Sequence, residues 1–120
     1  MDKATVVIGA STDPEKYSNK AIRSLQDHRI TVYGLGIKEG EVNGLTIETK
    51  RPHIQNVHTV TLYVGPKNQA DWVPYIYSLH PKRIIFNPGT ENKEFIEEAR
   101  SKGIECAEAC TLVLLSIGNY

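Results

Sequence analysis

The 120-residue chain sets 14 Lys and Arg against 14 Asp and Glu, with 40% hydrophobic residues. That length supports one hydrophobic core and predicts a single domain over residues 1–120. Balanced charge argues against a general affinity for nucleic acid or anionic membrane, and no apolar run approaches the length of a bilayer span.

In chain order, Thr5-Val6-Val7-Ile8 has the composition of a strand buried on both faces. It breaks into the small residues Gly9-Ala10-Ser11, where backbone can approach a ligand closely. Ser18 and Asn19 are predicted N-caps of a helix reaching about His28, with Ala21, Ile22 and Leu25 facing inward. A short connection leads to a second strand, Thr31 to Leu35, as a right-handed βαβ crossover requires. Gly36 to Gly44 reads as an irregular loop, followed by a short strand Leu45-Thr46-Ile47 and a polar connection from Glu48 to Asn56.

Thr59 to Val64 is the next strand, stopping at Gly65-Pro66. Trp72, Val73, Ile76 and Leu79 mark one face of a helix. Pro74 is tolerated only in a first turn, so the regular helix should start near Asp71 as cap and end before Pro81. Arg83 to Phe86 is a buried strand that stops at Asn87-Pro88-Gly89-Thr90. A helix from Glu91 to Lys102 should turn Phe95, Ile96 and Ala99 inward and stop at Gly103. Ile104-Glu105-Cys106 is a last short strand, and Thr111 to Leu115 a closing apolar segment.

Strands alternating with helices predict an α/β, doubly wound, Rossmann-like parallel sheet covered by helices on both faces. The expected strand order is 3-2-1-4-5-6, with Leu45–Ile47 at one edge. The switch point then lies between the first strand and Thr59–Val64, and a ligand belongs beyond the carboxyl ends there. Four glycine-containing strand ends converge on that crevice: Gly9-Ala10-Ser11, Gly36-Ile37-Lys38, Gly65-Pro66 and Asn87 to Thr90. The first of them, strand, small turn and helix N-terminus, is a way of presenting backbone N–H groups to phosphate.

Two details argue against NAD. The first turn lacks G-x-G-x-x-G, and the second strand runs into Lys38 where an acid should hold the ribose hydroxyls. A lysine there would pair with a phosphorylated ribose, which leaves NADP or coenzyme A. The whole chain resembles the small stand-alone CoA-binding domain proteins, related to the CoA-binding domain of the succinyl-CoA synthetase α-subunit. Val7 to Ser11, Lys16 to Ala21, Val32 to Lys38, Leu62 to Val64, Ile85 to Asn92 and Glu108 to Thr111 carry the resemblance. It implies the CoA pyrophosphate over Ala10 and Ser11, beyond Gly9, with the Lys16-Tyr17-Ser18-Asn19 segment at the phosphate end. It implies Lys16 and Lys38 near the phosphates, and Val64, Pro66, Asn87, Pro88, Gly89 and Thr90 lining the crevice. Gly36-Ile37 departs from the Asn-Pro that the family often has before this lysine.

The reading that follows is a module for coenzyme A or acyl-CoA with no catalytic residues of its own. Two others stand beside it: an NADP-dependent or acyl-CoA-processing enzyme using Glu91 or Cys110, and a regulatory domain whose crevice has lost its ligand and whose apolar C-terminal segment meets a protein partner or a second copy. Cys110 is expected to pack as a small core residue. Cys106 and Cys110 are too few for a disulfide scaffold, and with no signal-peptide pattern at Met1 to Ala4 the expected location is the cytoplasm. No zinc-type spacing occurs, and His28, His53, His58 and His80 read as scattered surface or loop residues.

Overall fold

The computed structural model describes residues 2–120. The first apolar run forms β1 (Thr5–Ile8), with all four residues buried. Strands β2 (Val32–Leu35), β5 (Thr59–Leu62), β6 (Arg83–Phe86) and β7 (Glu105–Glu108) join it, with a hairpin of β3 (Gly40–Val42) and β4 (Leu45–Glu48). The sheet has the order β3-β4-β2-β1-β5-β6-β7 and is parallel except where β3 meets β4. The six strands expected from sequence keep their order, but a seventh occupies the edge assigned to Leu45–Ile47. Its cause is the dipeptide Asn43-Gly44, whose φ angles of 47° and 85° make a tight two-residue hairpin and pair Val42 with Leu45.

Helices cover both faces. On one face α2 (Val73–Ser78) and α3 (Lys93–Ser101) press Ile76, Phe95 and Ile96 onto Val6, Ile8, Val60 and Phe86. The Phe86 and Phe95 rings meet edge to face, 5.4 Å apart. On the other, α1 (Tyr17–Asp27) and α4 (Thr111–Ser116) bring Ile22, Leu25 and Leu115 onto Val7 and Ile47. Removing a side chain such as Ile8 or Ile22 from water contributes about 1.5–3 kcal/mol. The apolar segment at 111–115 thus lies in the helix α4, and it buries only part of itself: Val113 remains 52% exposed, and Ile117, just past the helix, 64%.

Several boundaries differ from expectation for local reasons. The cap of α1 is Lys16, without a side-chain cap bond, and Ser18 and Asn19 sit buried inside the first turn. The Asn19 amide reaches back to the Ser11 carbonyl at 2.9 Å, so it fastens the turn after β1 instead of capping the helix. Trp72, not Asp71, precedes α2, and Pro74 falls in its first turn after a 3-10 turn at Pro66–Asn68. Asn92 caps α3 by accepting from the Phe95 N–H at 3.2 Å, which leaves Glu91 outside the helix. At the amino ends of the strands, the Tyr120 ring lies 4.3 Å from the Arg83 guanidinium and its hydroxyl bonds Thr5 at 2.5 Å. No helix among the described residues is long and apolar enough to cross a membrane.

Candidate functional site

Gly9 ends β1 at φ 95°, and a Cβ there would stand 3.0 Å from the Tyr63 backbone. The glycine therefore answers to the neighbouring strand end more than to a ligand. The N–H groups of Gly9 and Ala10 both donate to the Leu35 carbonyl at 2.9 Å, which folds the turn back over β2. Gly36 makes that closeness feasible, since a Cβ there would lie 2.5 Å from the Ala10 oxygen. Ala10 thus has no N–H left for a phosphate.

The next amides are different. Among the described residues, the N–H groups of Ser11, Thr12, Tyr17 and Ser18 have no hydrogen-bond partner in the protein. They belong to residues that line one crevice of about 670 Å³ at the carboxyl ends of the strands, and Lys16 lines it too. Free amides at a turn and at a helix start, beside a lysine, make an anion cradle. Tyr17 falls in the segment expected at the phosphate end, whereas Thr12 carries no signal in the sequence, because a free N–H is a property of backbone geometry.

Of the remaining expected residues, Gly9, Ala10, Ser11, Lys16, Ser18 and Lys38 are brought to this crevice, together with Val64, Pro88, Gly89 and Thr90. Asn19, Pro66 and Asn87 do not line it. Pro66 is exposed at the start of the 3-10 turn. Asn87 is 2% exposed and works inside the wall. Its amide donates to the Thr61 hydroxyl at 2.6 Å and the Leu62 carbonyl at 2.8 Å, and its oxygen accepts from the Thr111 N–H at 2.9 Å.

Gln69, fully buried and missed in the sequence, fastens the other two loops. It donates to the carbonyls of Val64 at 2.9 Å and Thr90 at 2.7 Å, and its oxygen accepts from Asn92 at 3.0 Å. Ile37, 97% exposed, and Tyr17, 66% exposed, give the crevice an apolar rim, and Trp72 and Tyr63 add aromatic surface. Burial pushes the Tyr63 phenol well above its ordinary pKa, so it stays protonated at any physiological pH.

Neither residue of the enzyme reading lines the crevice. The Glu91 carboxylate accepts from the Gly89 N–H at 2.9 Å and so shapes the 88–91 turn. Cys110 is half-buried at the N-cap of α4, which corrects the expectation of a core thiol; Cys106 is the buried one. Serine is a favoured cap, and its hydroxyl could accept from the Leu112 or Val113 N–H. Cys110→Ser should accordingly leave stability unchanged or raise it by up to about 1 kcal/mol. A urea titration showing a loss greater than that would contradict the cap geometry.

The histidines are less scattered than they read. His53, His58 and His80 line a hollow with Asp2 and Lys82, among residues of the amino-end loops. No group of three metal-ligating residues among the described residues is placed to hold a metal ion.

The crevice thus offers free amides, two lysines and an apolar rim at the switch point of a parallel sheet. A family model described as a CoA binding domain matches residues 3–116. The chain belongs to this CoA-binding domain family. It is also similar to an uncharacterized protein of known crystal structure, 46% identical, over 100% of this chain and 99% of that one, with a TM-score of 0.97. A hypothetical protein from Pyrococcus horikoshii OT3 is 26% identical, covering 93% of this chain and 80% of its own, with a TM-score of 0.80. A dinucleotide-forming acetyl-coenzyme A synthetase 1 from Ca. Korarchaeum cryptofilum, 21% identical, shares the fold at a TM-score of 0.69, over 88% of this chain and 25% of its own. No curated protein matches the sequence.

Proposed function

We propose that the crevice binds coenzyme A or an acyl-CoA, and that the protein acts as a binding module for it. The observation that carries the reading is the set of four free amides at Ser11, Thr12, Tyr17 and Ser18 beside Lys16, in a chain of the CoA-binding domain family. The diphosphate lies in this cradle, where N–H dipoles and the lysine charge replace its water. Lys38 pairs with the ribose phosphate. The pantetheine arm runs along Val64 and the Pro88-Gly89-Thr90 loop, held at its spacing by Gln69. The two free thiols suit a reducing cytoplasm.

Calorimetric titration with CoA, dephospho-CoA and NAD tests the reading. CoA should bind most tightly and NAD poorly. Lys38→Gln should weaken CoA about tenfold or more, since a hydrogen bond to a charged group is worth about 1.5–3 kcal/mol, and should leave dephospho-CoA nearly unchanged. Equal affinity for CoA and NAD would remove the reading.

A further inference from the structure

Beside the crevice lies a side chamber of about 570 Å³ that shares Gly36, Ile37, Asn68 and Trp72 with it. Its other walls bring two cations, Arg51 and Lys67, from segments that the sequence treats as plain connections. Arg51 is held by stacking and by pairing. Its guanidinium lies 3.9 Å from the Trp72 ring, and two of its nitrogens donate to Asp71, to the carbonyl and to a carboxylate oxygen, each at 2.7 Å. A guanidinium has five N–H donors, and those two bonds leave three without a partner among the described residues. The side chain is 32% exposed, so the spare donors are accessible.

We propose that Arg51, assisted by Lys67, is a specificity-determining residue that reads a phosphate on the adenosine end of the crevice ligand. The inference rests on the reading of the crevice as a CoA site. Stacking on Trp72 and pairing with Asp71 fix the guanidinium plane before the ligand arrives, so little side-chain freedom is lost on binding. The chamber carries two positive groups against the one carboxylate of Asp71, and Lys38, which lines the crevice alone, directly follows Ile37, which lines both. An adenosine that covers the exposed Ile37 side chain would bring its ribose phosphate between Lys38 and Arg51. The chamber thereby selects CoA over ligands that end in an unmodified ribose.

The test compares CoA with dephospho-CoA by calorimetry on wild type, Arg51→Gln, Lys67→Gln and Asp71→Asn, with thermal melts to show that each is folded. Arg51→Gln should weaken CoA at least tenfold and dephospho-CoA less than twofold. Lys67→Gln, on an exposed side chain, should weaken CoA about threefold with the same selectivity. Asp71→Asn removes the opposing charge but keeps the backbone carbonyl and a side-chain oxygen as acceptors for the Arg51 guanidinium, and should bind CoA as well as wild type or better. Equal losses for both ligands in Arg51→Gln, or no loss for either, would overturn the proposal and leave Arg51 as a support for Trp72. If Arg51→Gln does not fold, an equal effect of Lys67→Gln on the two ligands overturns it instead. Wild type that binds neither ligand is a separate outcome, and it refutes the reading of the crevice itself.

Discussion

Gly9→Val is expected to lower stability by about 2–5 kcal/mol, before any ligand is considered. A left-handed backbone costs a side-chain-bearing residue about 1–2 kcal/mol, and forcing extra atoms into a packed site about 1–3 kcal/mol. Both apply, because Gly9 has a φ of 95° and its Cβ would meet the Tyr63 backbone at 3.0 Å and Val64 Cγ2 at 3.1 Å. Backbone cannot step aside as a flexible side chain can. Total stabilities of domains are about 5–15 kcal/mol, so the loss is a large part of the whole. A thermal melt should fall by roughly ten degrees or more. A variant melting within two or three degrees of wild type would show that β1 and β5 can part at this point without cost.

Asn87→Ala should cost about 2–4 kcal/mol although it removes no charge and little volume. Asn87 lies at the end of β6 with its side chain linking β5 to the first amide of α4. Its removal leaves the Leu62 carbonyl and the Thr111 N–H buried without this partner, at about 1–3 kcal/mol for an unsatisfied group. The Thr61 hydroxyl loses less, since Thr111 Oγ1 lies 2.8 Å from it. Asn87→Asp retains an acceptor for Thr111 but loses both donors, so it should also destabilise. Urea titrations of the two variants check this, and a loss below about 1 kcal/mol in Asn87→Ala would mean that water replaces the amide readily.

These two positions show why some of the molecule was legible in the sequence and some was not. The buried strands read well because β-branched runs such as Thr5 to Ile8 and Arg83 to Phe86 are bounded by glycine or proline. Helix faces read well because Ile22 and Leu25, or Phe95, Ile96 and Ala99, recur at helical spacing. Asn43-Gly44, flanked by Val42 and Leu45, specifies a hairpin, a signal that the turn-rich composition of Gly36 to Gly44 obscures. The functions of Asn19, Gln69 and Asn87 were not legible in the same way. Each is a buried amide bonding backbone that is distant in sequence, by 8, 21 and 25 residues in the clearest cases. A local pattern does not record such partners. Ser18 and Asn19 look like caps because cap preference is local, whereas both lie buried in the first turn of α1, where Asn19 bonds the Ser11 carbonyl. Arg51 and Trp72 lie 21 positions apart, and only the fold stacks one on the other.

In the proposed function, the turn after β1 and the start of α1 together hold a diphosphate. Amide NMR of the isotopically labelled protein, titrated with CoA, reports on those groups one by one. The largest shifts are expected at Ser11, Thr12, Tyr17 and Ser18, with smaller ones at Gly89 and Thr90. Ala10 should respond less than Ser11, since its N–H stays bonded to the Leu35 carbonyl. Shifts that leave Ser11 to Ser18 untouched and gather at His53, His58 and His80 would contradict it, placing the anion at the other end of the sheet.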